Sequence, residues 1–209
     1  MNILHQVLGT ISETLLPLFP LGWNLFLATI PLLLSLLLFR THYRLGWWLW
    51  WPGLAVFLAF LPNAPYVLTD FIHFFSRLQM PPPLPFWAIT FVLLPQFAIY
   101  FFLGFQAYVI ALINLSEYLR RKGLGRWIIL VELLLHWLCA IGIYLGRVYR
   151  FNSWELLTQP REIFSAILYT FLYPPSASVI ALAFLILTAL YYLMKFIDLA
   201  LLRVWLKRA

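Results

Sequence analysis

The chain has 209 residues, of which 64% are hydrophobic and only 10% charged, with a mean hydropathy of +0.92. Soluble domains carry about a quarter charged residues, so this composition excludes water as the main solvent. The formal charge of +7 does not indicate nucleic acid, because the basic residues flank apolar runs, where they anchor to anionic lipid and set orientation.

Hydrocarbon cannot hydrogen-bond exposed backbone, so apolar runs of about 20 residues form helices whose amides are satisfied internally. The expected fold is all-α: a polytopic integral membrane helix bundle of about five transmembrane helices. Residues 1–20 hold no Lys or Arg, lack the basic start of a cleaved signal peptide, and read as a retained leader lying at the interface. The first span is 21–39, closed by Arg40. The second, 46–62, opens with Trp47, Trp48, Trp50 and Trp51, where indoles favour the headgroup level, and stops at Pro62. A polar island, 63–77, leads to Met80-Pro81-Pro82-Pro83, which no helix crosses.

The third apolar run, 84–113, would be about 45 Å long as a helix, which calls for tilt, overhang or a kink at Pro95. Arg120, Arg121, Lys122 and Arg126 separate it from the fourth span, 127–146. A second polar island, 147–162, precedes 163–173, which is too short to cross and reads as a re-entrant or interfacial helix ended by Pro174-Pro175. The fifth span is 176–197, and 198–209 is a basic cytoplasmic tail. Residues 21–197 thus form a single membrane domain. Placing Arg40, Arg44, Arg120, Arg121, Lys122, Arg126, Lys195, Arg203, Lys207 and Arg208 on the cytoplasmic side leaves only Arg77, Arg147, Arg150 and Arg161 outside. Both islands then emerge on the non-cytoplasmic face, where they can meet.

In the first island, Asp70 and His73 are three apart on one helical face, the spacing at which a carboxylate orients an imidazole or both touch one ion. They are the catalytic candidates. The alternative is that Asn63 caps a short helix near Pro65 while Asp70 and His73 bond to each other. In the second, Arg147 and Arg150 form a fork suited to phosphate or carboxylate. Asn152 and Glu155 fit a capping box as well as a binding role. Asn63, Tyr66, Arg147, Arg150, Asn152 and Glu155 are the substrate-binding candidates.

Within the fourth span Glu132, His136 and Cys139 make one polar stripe. Intramembrane Glu and His are functional candidates by default. The plainer reading is a neutral Glu132 bonded to His136, or to a neighbouring helix through Asn24, Gln96 or Gln106. The single cysteine excludes an internal disulfide. No phosphate-binding Gly-rich loop, zinc helix or nucleophile elbow is present, and the sequence names neither a metal nor a cofactor.

The two islands, Leu61-Pro62-Asn63-Ala64-Pro65-Tyr66 with Thr69-Asp70 and His73, then Gly146-Arg147 through Arg150 with Asn152-Ser153-Trp154-Glu155, resemble those of the bacterial membrane family called domain of unknown function 1361. The resemblance covers roughly residues 25–197. It implies a polytopic architecture in a bacterial inner membrane and names no reaction. Family members often carry an acidic residue after the aromatic pair opening the third span, which Phe86-Trp87-Ala88 lacks.

Three functions are open on this reading. One is a site at the non-cytoplasmic interface that binds or processes an anionic lipid-linked head group, with a lipid phosphate as ligand. The second is a small transporter subunit using Glu132 and His136, as a homo-oligomer. The third is a non-catalytic scaffold with a partner membrane protein.

Overall fold

The computed structural model describes residues 8–10, 18–41, 46–79, 81 and 83–206. Most of the proposed leader lies outside these residues, as do Arg44, Lys207 and Arg208. Among them five helical stretches are long and apolar enough to cross a membrane, and no residue is in a strand. The protein is an all-α membrane bundle.

Helix α1 (Leu18–Ser35) continues into a π-helical turn, Leu36–Arg40. Pro31 lies inside α1 and removes one donor from the ladder. Helix α2 (Trp47–Phe60) leads to the first island. There the chain stays helical but changes pitch, through α3 (Asn63–Tyr66), a 3-10 turn (Val67–Asp70) and α4 (Phe71–Gln79). Pro62 and Pro65 sit at the start of this new course, where their missing amide protons cost least. The third stretch begins with α5 (Phe86–Ala88) and a π turn (Ile89–Leu93), then runs as α6 (Leu94–Arg121). The π turn precedes Pro95, which cannot donate to the Phe91 carbonyl, so the local irregularity falls where the sequence placed it.

Helix α6 does not stop at residue 113. It runs on to Arg121, because a helix propagates through polar residues once nucleated, and Asn114 and Ser116 are buried within it. A 3-10 turn (Gly125–Trp127) opens α7 (Ile128–Tyr144), which ends in a π turn (Leu145–Tyr149). Short α8 (Glu155–Thr158) and α9 (Pro160–Leu172) carry the second island into α10 (Pro174–Leu206). Helix α9 starts three residues before the expected short helix. Helix α10 continues past residue 197, so the first part of the expected tail, through Leu206, is helical.

Helix α1 packs along α6, and α7 pairs with α10. The core between them holds Phe39, Phe57, Phe97, Tyr108, Leu112 and Tyr191. Trp47, Trp48, Trp51, Trp127 and Trp205 are exposed at the end that carries Arg40 and Arg121, and Trp23 and Trp154 lie exposed at the other. Two aromatic belts of this kind mark the two interfaces of a bilayer.

Two close approaches fix the first island against the bundle. A Cβ on Gly104 would lie 2.4 Å from Val67 Cγ2, and one on Gly142 would lie 2.6 Å from Pro62 Cβ. Both neighbours are stiff, so Gly104→Ala should destabilise by about 1–3 kcal/mol. Gly22→Ala, with nothing within 4 Å of the new carbon, should be neutral or stabilising by up to about 1 kcal/mol. Thermal unfolding in detergent compares the two; equal midpoints would remove the close-packing account.

Candidate functional site

The two islands meet around Asp70, which is 1% exposed at the end of the 3-10 turn. Its Oδ1 accepts Arg147 Nη2 at 2.9 Å. Its Oδ2 accepts Asn24 Nδ2 at 2.7 Å and the Tyr100 hydroxyl at 2.5 Å. Four elements therefore converge on one carboxylate: α1, the first island, α6 and the π turn after α7. Arg147 Nη2 also donates to Thr69 Oγ1 at 2.5 Å, and the guanidinium lies over the Tyr66 ring, 4.8 Å from its centroid. The Thr69 hydroxyl donates in turn to the Tyr66 carbonyl at 2.7 Å. A second tie joins the islands where Asn63 Nδ2 donates to Ser153 Oγ at 2.7 Å and to the Phe60 carbonyl at 3.0 Å. Asn63 thus staples the islands instead of capping α3.

Tyr66, Thr69, Asp70 and Arg147 form one connected network, and the Asn63–Ser153 bond is a separate tie between the islands. His73 stands at its rim, 48% exposed, with Nε2 3.7 Å from Asp70 Oδ1. That separation is too long for a hydrogen bond but within ion-pair distance. Arg147 is 29% exposed, and its Nη1 has no protein partner among the described residues. Arg150, three positions on, is exposed with φ of 61°, in the left-handed region; its backbone N–H donates to the Leu145 carbonyl, and its side chain has no polar partner among the described residues. The Asn152 amide donates to Glu155 Oε2 at 2.6 Å, which is the acidic half of the capping box and engages Glu155 within its own turn.

Asn24 and Tyr100 complete the network around Asp70, and Ser153 completes the tie to Asn63. Asn24 stands out in sequence as a polar residue in an apolar run; nothing in the sequence distinguishes Tyr100 from the chain's other tyrosines.

A second polar cluster lies toward the opposite interface. Glu132, 2% exposed, accepts Ser116 Oγ at 2.6 Å, the Tyr191 hydroxyl at 2.7 Å and the Tyr192 hydroxyl at 3.1 Å, and is ion-paired with Lys195. It does not bond to His136, Asn24, Gln96 or Gln106. Asn24 serves Asp70, Gln106 donates to Asp198 at 2.6 Å, and the Gln96 amide is buried without a partner among the described residues. His136 is fully buried, its Nδ1 paired with the Tyr108 hydroxyl at 2.5 Å. Its Nε2 has no partner among the described residues. No three His, Cys, Asp or Glu side chains among the described residues are grouped to hold a metal ion.

These two ion pairs make different predictions from an additive set of contacts. Lys195→Met leaves the Glu132 charge buried and should cost about 3–5 kcal/mol, whereas adding Glu132→Gln should recover much of that loss. A double variant as unstable as the summed singles would show that the pair is not coupled. Likewise Asp70→Ala should lower stability by about 3 kcal/mol, since it strands Arg147; unchanged detergent melting would mean that the carboxylate is not the junction.

The model of the family described as "Protein of unknown function (DUF1361)" matches residues 23–192, and the chain belongs to that family. No curated protein and no solved structure matches it.

Proposed function

We propose that this member of the family is a multi-pass protein of the bacterial inner membrane that binds the phosphate of an anionic lipid-linked head group where its two islands meet, on the non-cytoplasmic face. Asp70 holds Arg147 through Nη2, and the guanidinium's Nη1, with the unpartnered side chain of Arg150 three residues on, supplies donors a phosphate accepts.

The observation that carries this reading is the backbone at Arg150. A side-chain-bearing residue at φ of 61° costs about 1 kcal/mol relative to glycine, the usual occupant after a helix end. No contact of the Arg150 side chain within the described residues offsets that cost, and a ligand would. The site is a binding site first. His73 at the rim is the group available for proton transfer if the head group is processed. The transport alternative draws less support, because Glu132 is already engaged by Lys195, Ser116, Tyr191 and Tyr192.

Native mass spectrometry of gently solubilised protein, with added polyprenyl phosphate, tests this reading. Wild type should retain the lipid and Arg147→Ala should lose it. Arg150→Gly should melt at or above the wild-type temperature while binding about 10-fold to 100-fold more weakly, the equivalent of one lost charge-assisted hydrogen bond. Wild-type affinity in Arg150→Gly, or no lipid on the wild type, would overturn the proposal and favour the scaffold reading.

A further inference from the structure

Beside the proposed phosphate site lies a groove of about 460 Å³ that this site does not use. Its walls come from the turn after α7 and from one face of α9. Tyr149 and Phe151 flank Arg150, and the left-handed residue between them turns the chain so that their rings lie nearly parallel, 16° apart with centroids at 6.0 Å. From α9 come Arg161, Glu162, Ser165 and Tyr169, whose spacing puts them on one side of the helix. The opposite side, with Ile163, Ala166 and Thr170, is buried against the bundle, and Phe164 and Phe171 form a neighbouring exposed strip suited to lipid. Arg161, Glu162 and Ser165 have no hydrogen-bond or ion-pair partner among the described residues, although Arg161 and Glu162 are adjacent in sequence.

This lining selects among ligands. Arg161, Glu162 and Ser165 are exposed along the groove's rim, and an acyl chain can use none of their donors and acceptors. A bare phosphate has no use for three aromatic rings or a carboxylate. A saccharide matches both halves: the C–H faces of a sugar ring pack on aromatic faces, and its hydroxyls both donate to a carboxylate and accept from a guanidinium or serine. The volume lies within the range of small-molecule sites.

We infer that the groove is a saccharide subsite, so that the ligand class is a lipid phosphate bearing a sugar, its phosphate at Arg147 and Arg150 and its sugar between Tyr149, Phe151 and Tyr169. This inference rests on the phosphate-binding reading above for the lipid part, and on the groove alone for the sugar.

The test titrates the full-length detergent-solubilised protein with three probes: polyprenyl phosphate, polyprenyl phosphate hexose and a free methyl hexoside. Tyr169 is 74% exposed, so Tyr169→Ala should fold as wild type. It should bind polyprenyl phosphate unchanged, bind the glycosylated lipid about tenfold more weakly, and lose the quenching of tyrosine and tryptophan fluorescence by the methyl hexoside. Glu162→Gln should follow the same pattern, and Arg150→Gly should weaken both lipids while leaving the hexoside response intact. Equal wild-type affinity for the two lipids, or a Tyr169→Ala loss that is the same for both, would overturn the saccharide subsite. A hexoside response abolished by Tyr169→Ala, with no effect of Arg150→Gly on either lipid, would uphold the subsite and overturn the phosphate reading.

Discussion

A carboxylate cannot remain charged inside an apolar bundle without donors around it, and the Asp70 carboxylate sets the geometry of one whole end of this molecule. Asn24, Tyr100 and Arg147 reach it from separate elements. Satisfying it therefore fixes how α1 meets α6 and where the turn after α7 comes to rest. The consequences continue outward. Arg147 is pinned by Asp70, Thr69 and the Tyr66 ring, the π turn ends at the left-handed Arg150, and the reversal there places Tyr149 and Phe151 side by side. The groove exists because the chain must turn away from a guanidinium already committed to the interior.

The same logic repeats along α6. Between lipid-facing helices there is no hydrophobic drive to associate, so close packing and polar bonds decide which surfaces pair. Helix α6 supplies Tyr100 to Asp70, Gln106 to Asp198, Tyr108 to His136 and Ser116 to Glu132, and Asn114 accepts from Arg40 at 2.9 Å while donating to Ser35 at 2.9 Å. Arg121 closes the series on the Phe39 carbonyl. Each such bond is worth only about 0.6–2 kcal/mol in a membrane. Their distribution along one helix gives α1, α7 and α10 a defined register against a common axis, and Gly104 lets the first island approach that axis.

The five spans were legible because length and apolarity alone decide them. The meeting of the islands was legible because the imbalance of Lys and Arg puts both at one end. Partners were much less so. Glu132 invited pairing with His136 or an amide. Its cation, Lys195, reads in sequence as an ordinary charge flanking a span, and only the antiparallel packing of α7 and α10 brings the two together. Boundaries erred for a related reason: a hydropathy limit stops at the first polar residues, but 114–121 and 198–206 remain helical because their polar side chains find partners within the bundle or at its rim. Tyr100 carries no local signal at all. Its hydroxyl becomes functional to the fold only through a carboxylate thirty residues away.

The saturation of Asp70 also limits what this end of the protein can do. A carboxylate that already accepts three donors, one of them a guanidinium, has its oxygens committed to the junction, so its part is to position the groups around it. His73 is half exposed and lies beyond hydrogen-bonding but within ion-pair distance of it. The proposed anion binding therefore rests on Arg147, which Asp70 and Thr69 hold in place, and any proton transfer in that proposal falls to His73 at the rim.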